Sequence, residues 1–294
     1  MKAALWYAVG AALIMAPQLA AAADLPASPP PPPATSPAAF VQPAPDWIVT
    51  LGIEGRMLPA WPGASDRAPG LLVLPLFDIR KVGTRENFFG PRDSFGINII
   101  DLGQLKFGPA VKLINERNQW NYKELYGLGD VGYTVQAGVF AEYWPVDWLR
   151  LRGEFRQGIG GETGQTGDIF LDAIVPVGAW ILSAGPRIEL QSATALDPYF
   201  SITQAQSAAT VIYGPPHGLA PLPVYNVSGG FYSWGAGGKA EYRFSPQWAS
   251  YGFVEYERIS GSAASSPLVT QRGSPNQLSY GLGITYSFTM HPLW

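Results

Sequence analysis

Two histidines and no cysteine set the limits of the chemistry this 294-residue chain can perform. Without a thiol there is no thiolate nucleophile, no Cys-ligated zinc, no disulfide and no lipid-modified N-terminal cysteine. His217 falls in the longest predicted loop and His291 in the C-terminal tail. His217 with Asp197 is the one His–acid pairing worth weighing. A solvated loop histidine accounts for it better, because no strand sets a His beside a Ser or Asp on one face as acyl transfer requires. Gly158–Gly161 suits a hairpin loop, and Gly235–Gly238 lies within a strand. Neither opens a helix, so neither reads as a phosphate cradle. No catalytic, metal or cofactor site is expected, and the chain does not read as an enzyme. A net charge of −3 gives no reason to expect nucleic acid.

The polar residues that remain informative are charges spaced two apart within apolar segments. They are Glu54, Arg56, Asp78, Arg80, Lys106, Lys112, Glu142, Arg150, Arg152, Glu154, Arg156, Arg187, Glu189, Lys239, Glu241, Arg243, Glu255 and Glu257. Such spacing puts all of a segment's charges on one side of an extended strand. The opposite side is apolar. Over Gln277–Phe288, Leu278, Tyr280, Leu282, Ile284, Tyr286 and Phe288 share one face, and Gln277, Ser279, Gly281, Gly283, Thr285 and Ser287 the other. Only 14% of residues are charged and the mean hydropathy is +0.05. That average suits alternating strands, where apolar and polar residues cancel, rather than helices that span a membrane.

Twelve strands are expected, over 47–57, 70–80, 84–90, 94–101, 104–114, 130–144, 147–158, 167–177, 179–191, 229–244, 247–259 and 276–288. Many are near ten residues, the length a tilted membrane strand needs. The connections alternate between short turns and long loops, the latter including 158–166, 192–228 and 260–276; the short link at Gly90–Asp93 breaks the alternation. An all-β fold follows: a closed antiparallel transmembrane β-barrel of about twelve strands, with its charges lining the lumen. Trp47, Tyr143, Trp148, Trp180, Phe244, Trp248 and Phe288 sit beside short turns or near strand ends, where ring systems favour the membrane–water interface. The lumen charges read either as a paired network filling the interior or as a pore lining. Loop 192–228 reads as a constriction at the mouth or as an exposed adhesive surface.

Residues 1–23 read as a signal peptide, with Lys2, an apolar run from Ala3 to Met15 and small residues Ala20–Ala23 before the cut. Residues 24–45 read as a Pro/Ala-rich periplasmic linker, too poor in apolar side chains to build a core. Residues 46–294 form the barrel, and the expected location is the Gram-negative outer membrane, in contact with its lipid and with the barrel assembly machinery.

The chain resembles the MipA/OmpV family of outer-membrane proteins through Leu125-Tyr126-Gly127-Leu128-Gly129-Asp130-Val131, Gln136-Ala137-Gly138-Val139 and Ala184-Gly185-Pro186-Arg187-Ile188. It does so further through Tyr256-Glu257-Arg258-Ile259, Ser266-Pro267 and the closing Gly281–Phe288 run. The family's acidic residues after the Tyr-Glu-Arg strand are missing from Ser260–Pro267, and six residues follow Phe288, ending on Trp294. The resemblance implies a scaffold joining a lytic transglycosylase to a bifunctional peptidoglycan synthase. A small-solute pore and a surface adhesin or antigen are the alternatives.

Overall fold

The computed structural model describes residues 47–83 and 88–291. The expected signal peptide and linker, like Trp294, lie outside the described residues. Among the described residues twelve strands form one antiparallel sheet. They are β1 (Trp47–Pro59), β2 (Arg67–Lys81), β3 (Phe95–Gly96), β4 (Ile100–Asp101), β5 (Leu105–Ile114), β6 (Thr134–Val146), β7 (Leu149–Gly160), β8 (Gln165–Val177), β9 (Trp180–Gln191), β10 (Gly230–Arg243), β11 (Trp248–Ile259) and β12 (Asn276–Met290). Their spatial order is β2-β1-β12-β11-β10-β9-β8-β7-β6-β5-β3, with β4 also paired to β5. The first and last long strands meet, Ile53 opposite Ile284 and Leu51 opposite Tyr286.

The two faces of the sheet invert the usual soluble arrangement. Leu282 is 74% exposed and Leu71 70%, whereas Arg150 is 0% exposed and Arg156 1%. Ile284 and Tyr286 also point outward, so these side chains are not hidden between stacked layers. An apolar outer face over charged inner positions is the alternation of a strand bathed in lipid.

Four expectations need correction. Residues 84–87 of the expected strand 84–90 lie outside the described residues, and the described stretch 88–101 yields only the two-residue β3 and β4 in place of a strand over 94–101. Gly90-Pro91 interrupts the ladder because proline has no N–H to donate, and the charges that follow turn inward to partners described below. Connection 158–166 shrinks to residues 161–164, because β7 and β8 extend toward each other. The last strand runs on to Met290 rather than stopping at Phe288. Finally, among the described residues ten of the twelve strands are long, and no pairing joins β2 to β3 or β5.

The long connections also contain helices, which no sustained 3.6-residue period announces. They are α1 (Ala193–Phe200), α2 (Gln204–Tyr213), α3 (Gly261–Ala264) and α4 (Pro267–Arg272). None reaches three turns, so each is too short for a periodic signature. Their capping residues are informative instead. Thr203 and Gln206 form a reciprocal capping box at α2, and the Ser192 side chain accepts from Ala195 N at α1.

Candidate functional site

The inner face of the sheet is organised by cross-strand pairs. On β7, Arg150, Arg152, Glu154 and Arg156 point inward two residues apart, and register places Asp172 opposite Arg150, Glu142 opposite Arg152 and Asp168 opposite Glu154. Arg150 reaches Asp172 at 2.6 Å and Asp93 at 2.7 Å. Arg152 reaches Glu142 and Glu154, both at 2.6 Å, and its guanidinium lies 4.0 Å from the Phe140 ring centroid. Arg156 pairs with Glu154 and Asp168 and donates from Nε to Gln136 at 3.1 Å. Arg187 meets Asp172 at 2.6 Å and Glu255 at 3.6 Å. Each arginine thus has at least two carboxylates, the arrangement that buried charge demands. Gly237 gives one carboxylate its place: a Cβ there would collide with Glu255 Oε1.

The remaining expected lumen charges lie on the same face but differ in enclosure. Glu54 is buried, pairs with Arg56 and accepts from Tyr251 Oη at 2.6 Å. Lys106 is buried and lies 3.7 Å from Asp101. Lys239, Glu241 and Arg243 form a chain toward the short-turn end, with contacts of 3.0 and 3.2 Å to Glu241, and Arg243 is half-exposed. Glu189 is buried and Glu257 half-buried. The side chain of Asp78 lies outside the described residues.

Segment 88–94 completes the network from inside. Arg92 pairs with Glu189, with Glu257 at 2.9 Å and with Glu255 at 3.8 Å. Asp93 takes both terminal nitrogens of Arg150, and Ser94 N and Oγ donate to Glu154. Phe88 offers its carbonyl to Arg150 and its ring to the same guanidinium at 4.6 Å. The short link expected at Gly90–Asp93, with the strand ends flanking it, therefore occupies the interior. On the outer face Arg92 would cost about 2–4 kcal/mol at mid-bilayer, whereas inside it has three carboxylates. Asp168 and Asp172, absent from the expected set, were open to the same period-two argument, since they alternate with Ile169 and Leu171.

At the other end the long loops pack into an apolar cap. Tyr199, Phe200, Val227, Tyr232, Ile259, Ala263 and Val269 belong to one buried cluster; Trp61, Leu125, Leu128, Ile202, Leu222 and Leu268 belong to a second. Two arginines tie the loops through carbonyls: Arg117 donates to Tyr199 O at 3.0 Å and Pro198 O at 2.9 Å, and Arg272 to Glu124 O at 2.9 Å and Ala220 O at 2.7 Å. Burial lowers Arg117 to about 10, which leaves it charged at neutral pH. Loop 192–228 is thus part of a folded cap. Within it Asp197 and His217 are exposed, and the His217 ring packs 4.8 Å from Tyr126 rather than against an acid. Between cap and charged interior lies a cavity of about 150 Å³, lined from above by Tyr199 and Phe200 and from the strands by Gln136, Glu189, Tyr232 and Glu257.

Tyr143, Trp148, Trp180, Phe244 and Trp248 are exposed beside the turns at 147–148, 178–179 and 244–247, and Trp47 and Phe288 are half-buried near the strand ends at the same rim. Trp180 meets Tyr242 at 4.9 Å and Trp248 meets Tyr286 at 4.7 Å.

The family model described as MltA-interacting protein MipA matches residues 51–288. No curated protein matches the chain. Among solved structures, the COG4313 outer membrane channel from Pseudomonas putida F1 is similar at a TM-score of 0.38 and 10% identity, over 87% of this chain and 100% of that one. The OmpTdeltaL8 loop-deletion protein of Vibrio cholerae gives 0.37 and 9%, over 83% and 98%. OprG from Pseudomonas aeruginosa gives 0.26 and 11%, over 84% and 97%.

Proposed function

The chain belongs to the MltA-interacting protein MipA family, and from that premise we propose that it is an outer-membrane β-barrel serving as a scaffold for peptidoglycan-remodelling enzymes. In this reading the signal over 1–23 is removed and the tail over 24–45 extends into the periplasm. The sheet closes in the bilayer between the β2 edge and the β3–β5 edge, since an open edge in lipid would leave backbone N–H and C=O groups without partners. The interface aromatics then sit at the periplasmic rim, and the partners are a lytic transglycosylase, as the family's name suggests, and a bifunctional synthase.

One observation favours an anchor over a pore. The interior is occupied by interlocked ion pairs and by segment 88–94, with the apolar cap folded across the loop end. The test is affinity capture with the full-length protein in detergent. Retention of a lytic transglycosylase by the intact chain, lost on deleting residues 24–45 or altering the turns at 147–148 and 244–247, supports the scaffold. No retention by the intact chain overturns it. Planar bilayers containing the protein should stay silent, and steady conductance would restore the pore.

A surface-adhesion role has one feature in its favour: exposed Trp120 packs against Tyr126 at 5.4 Å and Tyr213 at 5.7 Å on the outside of the cap. Trp120→Ser should lower cell or matrix binding if this surface adheres; unchanged binding removes that role.

A further inference from the structure

Arg258 breaks the pattern of the strands. From β5 to β12 the other strand charges point into the interior. Arg258 follows Glu257 directly, so the two face opposite ways, and Arg258 is exposed on the side of Val254 and Tyr256. Arg67 does the same on β2, where it is exposed on the face of Leu71.

Register brings these two arginines together. Arg67 reaches across β1 and donates from Nε to Leu278 O at 3.2 Å; Arg258 donates from Nη1 to Asn276 Oδ1 at 2.8 Å. Asn276 and Leu278 are same-face neighbours on β12, so the two anchoring points lie about 7 Å apart. Among the described residues neither guanidinium meets a carboxylate, whereas Arg150, Arg152, Arg156 and Arg187 each meet at least two. A guanidinium has five N–H donors, so each of the outward pair keeps several for a further acceptor.

Their height in the wall identifies what they face. Ten residues of β12 separate Asn276 from Tyr286, which meets Trp248 in the aromatic belt at the short-turn rim. Ten antiparallel residues span about 34 Å, or about 26 Å along the axis of a barrel whose strands tilt by about 40°. The apolar band of an outer-membrane barrel is about 25 Å tall. The pair therefore sits at the opposite boundary of that band, where an outward arginine costs least and lipid headgroups begin. Rings mark the same level. Trp234 is the cross-strand neighbour of Arg258 and lies 6.4 Å from Tyr256, whose hydroxyl donates to the same Asn276 oxygen at 2.8 Å. Aromatic side chains with a polar tip favour that boundary.

We propose that Arg67 and Arg258 form a seat for a phosphate monoester on a lipid headgroup of the outer leaflet. Two forked cations match a group with nearly two charges and three free oxygens better than a singly charged diester. The seat rests on the barrel reading with its loop end outward, and it is independent of any enzyme partner.

Native mass spectrometry of the full-length protein in detergent tests it. Lipid A, which carries phosphate monoesters, should form adducts at least about tenfold more abundant than the same lipid stripped of its phosphates. Phosphatidylglycerol, an anionic diester, should give several-fold fewer, and inorganic phosphate none. Joint Arg67→Gln and Arg258→Gln substitution should lower the lipid A adducts by about tenfold or more, while Lys123→Gln, an exposed basic position of the cap, leaves them unchanged. Absence of lipid A adducts overturns the seat, as do equal adducts of the stripped lipid or a folded double variant that binds like the parent. Adducts of inorganic phosphate would make it a site for a free anion, and equal phosphatidylglycerol would overturn the monoester; either result overturns the proposal. The comparison among ligands on the parent protein decides the matter even if the double variant fails to fold. Labelling of Trp120→Cys on intact cells by a membrane-impermeant maleimide reads the orientation by itself, so an inverted chain and a wrong ligand are told apart.

Discussion

Arg150 and Phe200 are hidden from solvent to the same degree, 0% and 1% exposed, yet their neighbours have nothing in common. Arg150 sits among Asp93, Asp172 and Glu142; Phe200 sits among Tyr199, Tyr232 and Val269. The difference follows from what lies outside each region. The strands present their apolar face outward, leaving the inner face to polar groups that must satisfy one another. The cap lies beyond the strands, in water, and is held by burial of apolar area like any soluble domain. One chain thus carries two cores of opposite chemistry, and the chamber under Tyr199 lies where they meet.

The most severe way to break this contrast is to unpair the polar core. Arg150→Ala should cost about 3–5 kcal/mol, because it strands Asp93 and Asp172 in a buried site. Thermal unfolding in detergent reads this directly, and a loss below about 1 kcal/mol would mean that water or rearrangement replaces the guanidinium. Phe200→Ala attacks the apolar core and should cost about 3 kcal/mol, in a different place: limited proteolysis should cut the loops at 192–228 and 260–275 while the strands stay resistant. Equal loss of strand resistance would show that the cores are a single cooperative unit. Thr203→Ala removes one half of the capping box and should cost about 1 kcal/mol, seen as faster hydrogen exchange in α2 with β7 unchanged. Leu282→Ala, on the outer face, should change stability in detergent by no more than about 0.5 kcal/mol. A large loss there would mean that Leu282 is buried against protein.

The strand architecture was readable because alternation survives in strands such as β7, β8 and β9. Glu142, Arg152 and Arg187 could be placed on the inner face from spacing alone. The inner segment was not readable. Phe88 to Asp101 alternates well enough to pass for wall, and only Gly90-Pro91 and the run Arg92-Asp93 argue otherwise; their partners, Arg150 and Glu189, are distant in sequence. The cap was missed for another reason. Its helices are short, and its core gathers Trp61, Leu125, Ile202 and Leu268 from four separate loops, so no single window carries the pattern. The capping box Thr203–Gln206 was the available signal for α2. Of the stretches that carry the resemblance to the MipA family, 125–131, 256–259 and 266–267 fall in the cap or where a strand enters it, whereas 281–288 runs toward the short-turn rim. Leu125, Leu128 and Val131 are cap core. Gly127 and Gly129 adopt φ of +88° and +77°, and both amides donate to Gln119 Oε1. Ile259 and Ser266 also pack there, Ser266 Oγ donating to Phe200 O at 2.7 Å.

The outward orientation of the apolar face is the claim on which both cores depend, and the absence of native cysteine makes it directly measurable. A nitroxide attached through Leu282→Cys in protein reconstituted into lipid vesicles should be relaxed strongly by molecular oxygen and weakly by a water-soluble nickel chelate, while the same label at Trp120→Cys on the cap shows the reverse. Strong relaxation of the Leu282 label by the nickel chelate, or weak relaxation by both agents, would place that face in water or inside protein and contradict the account.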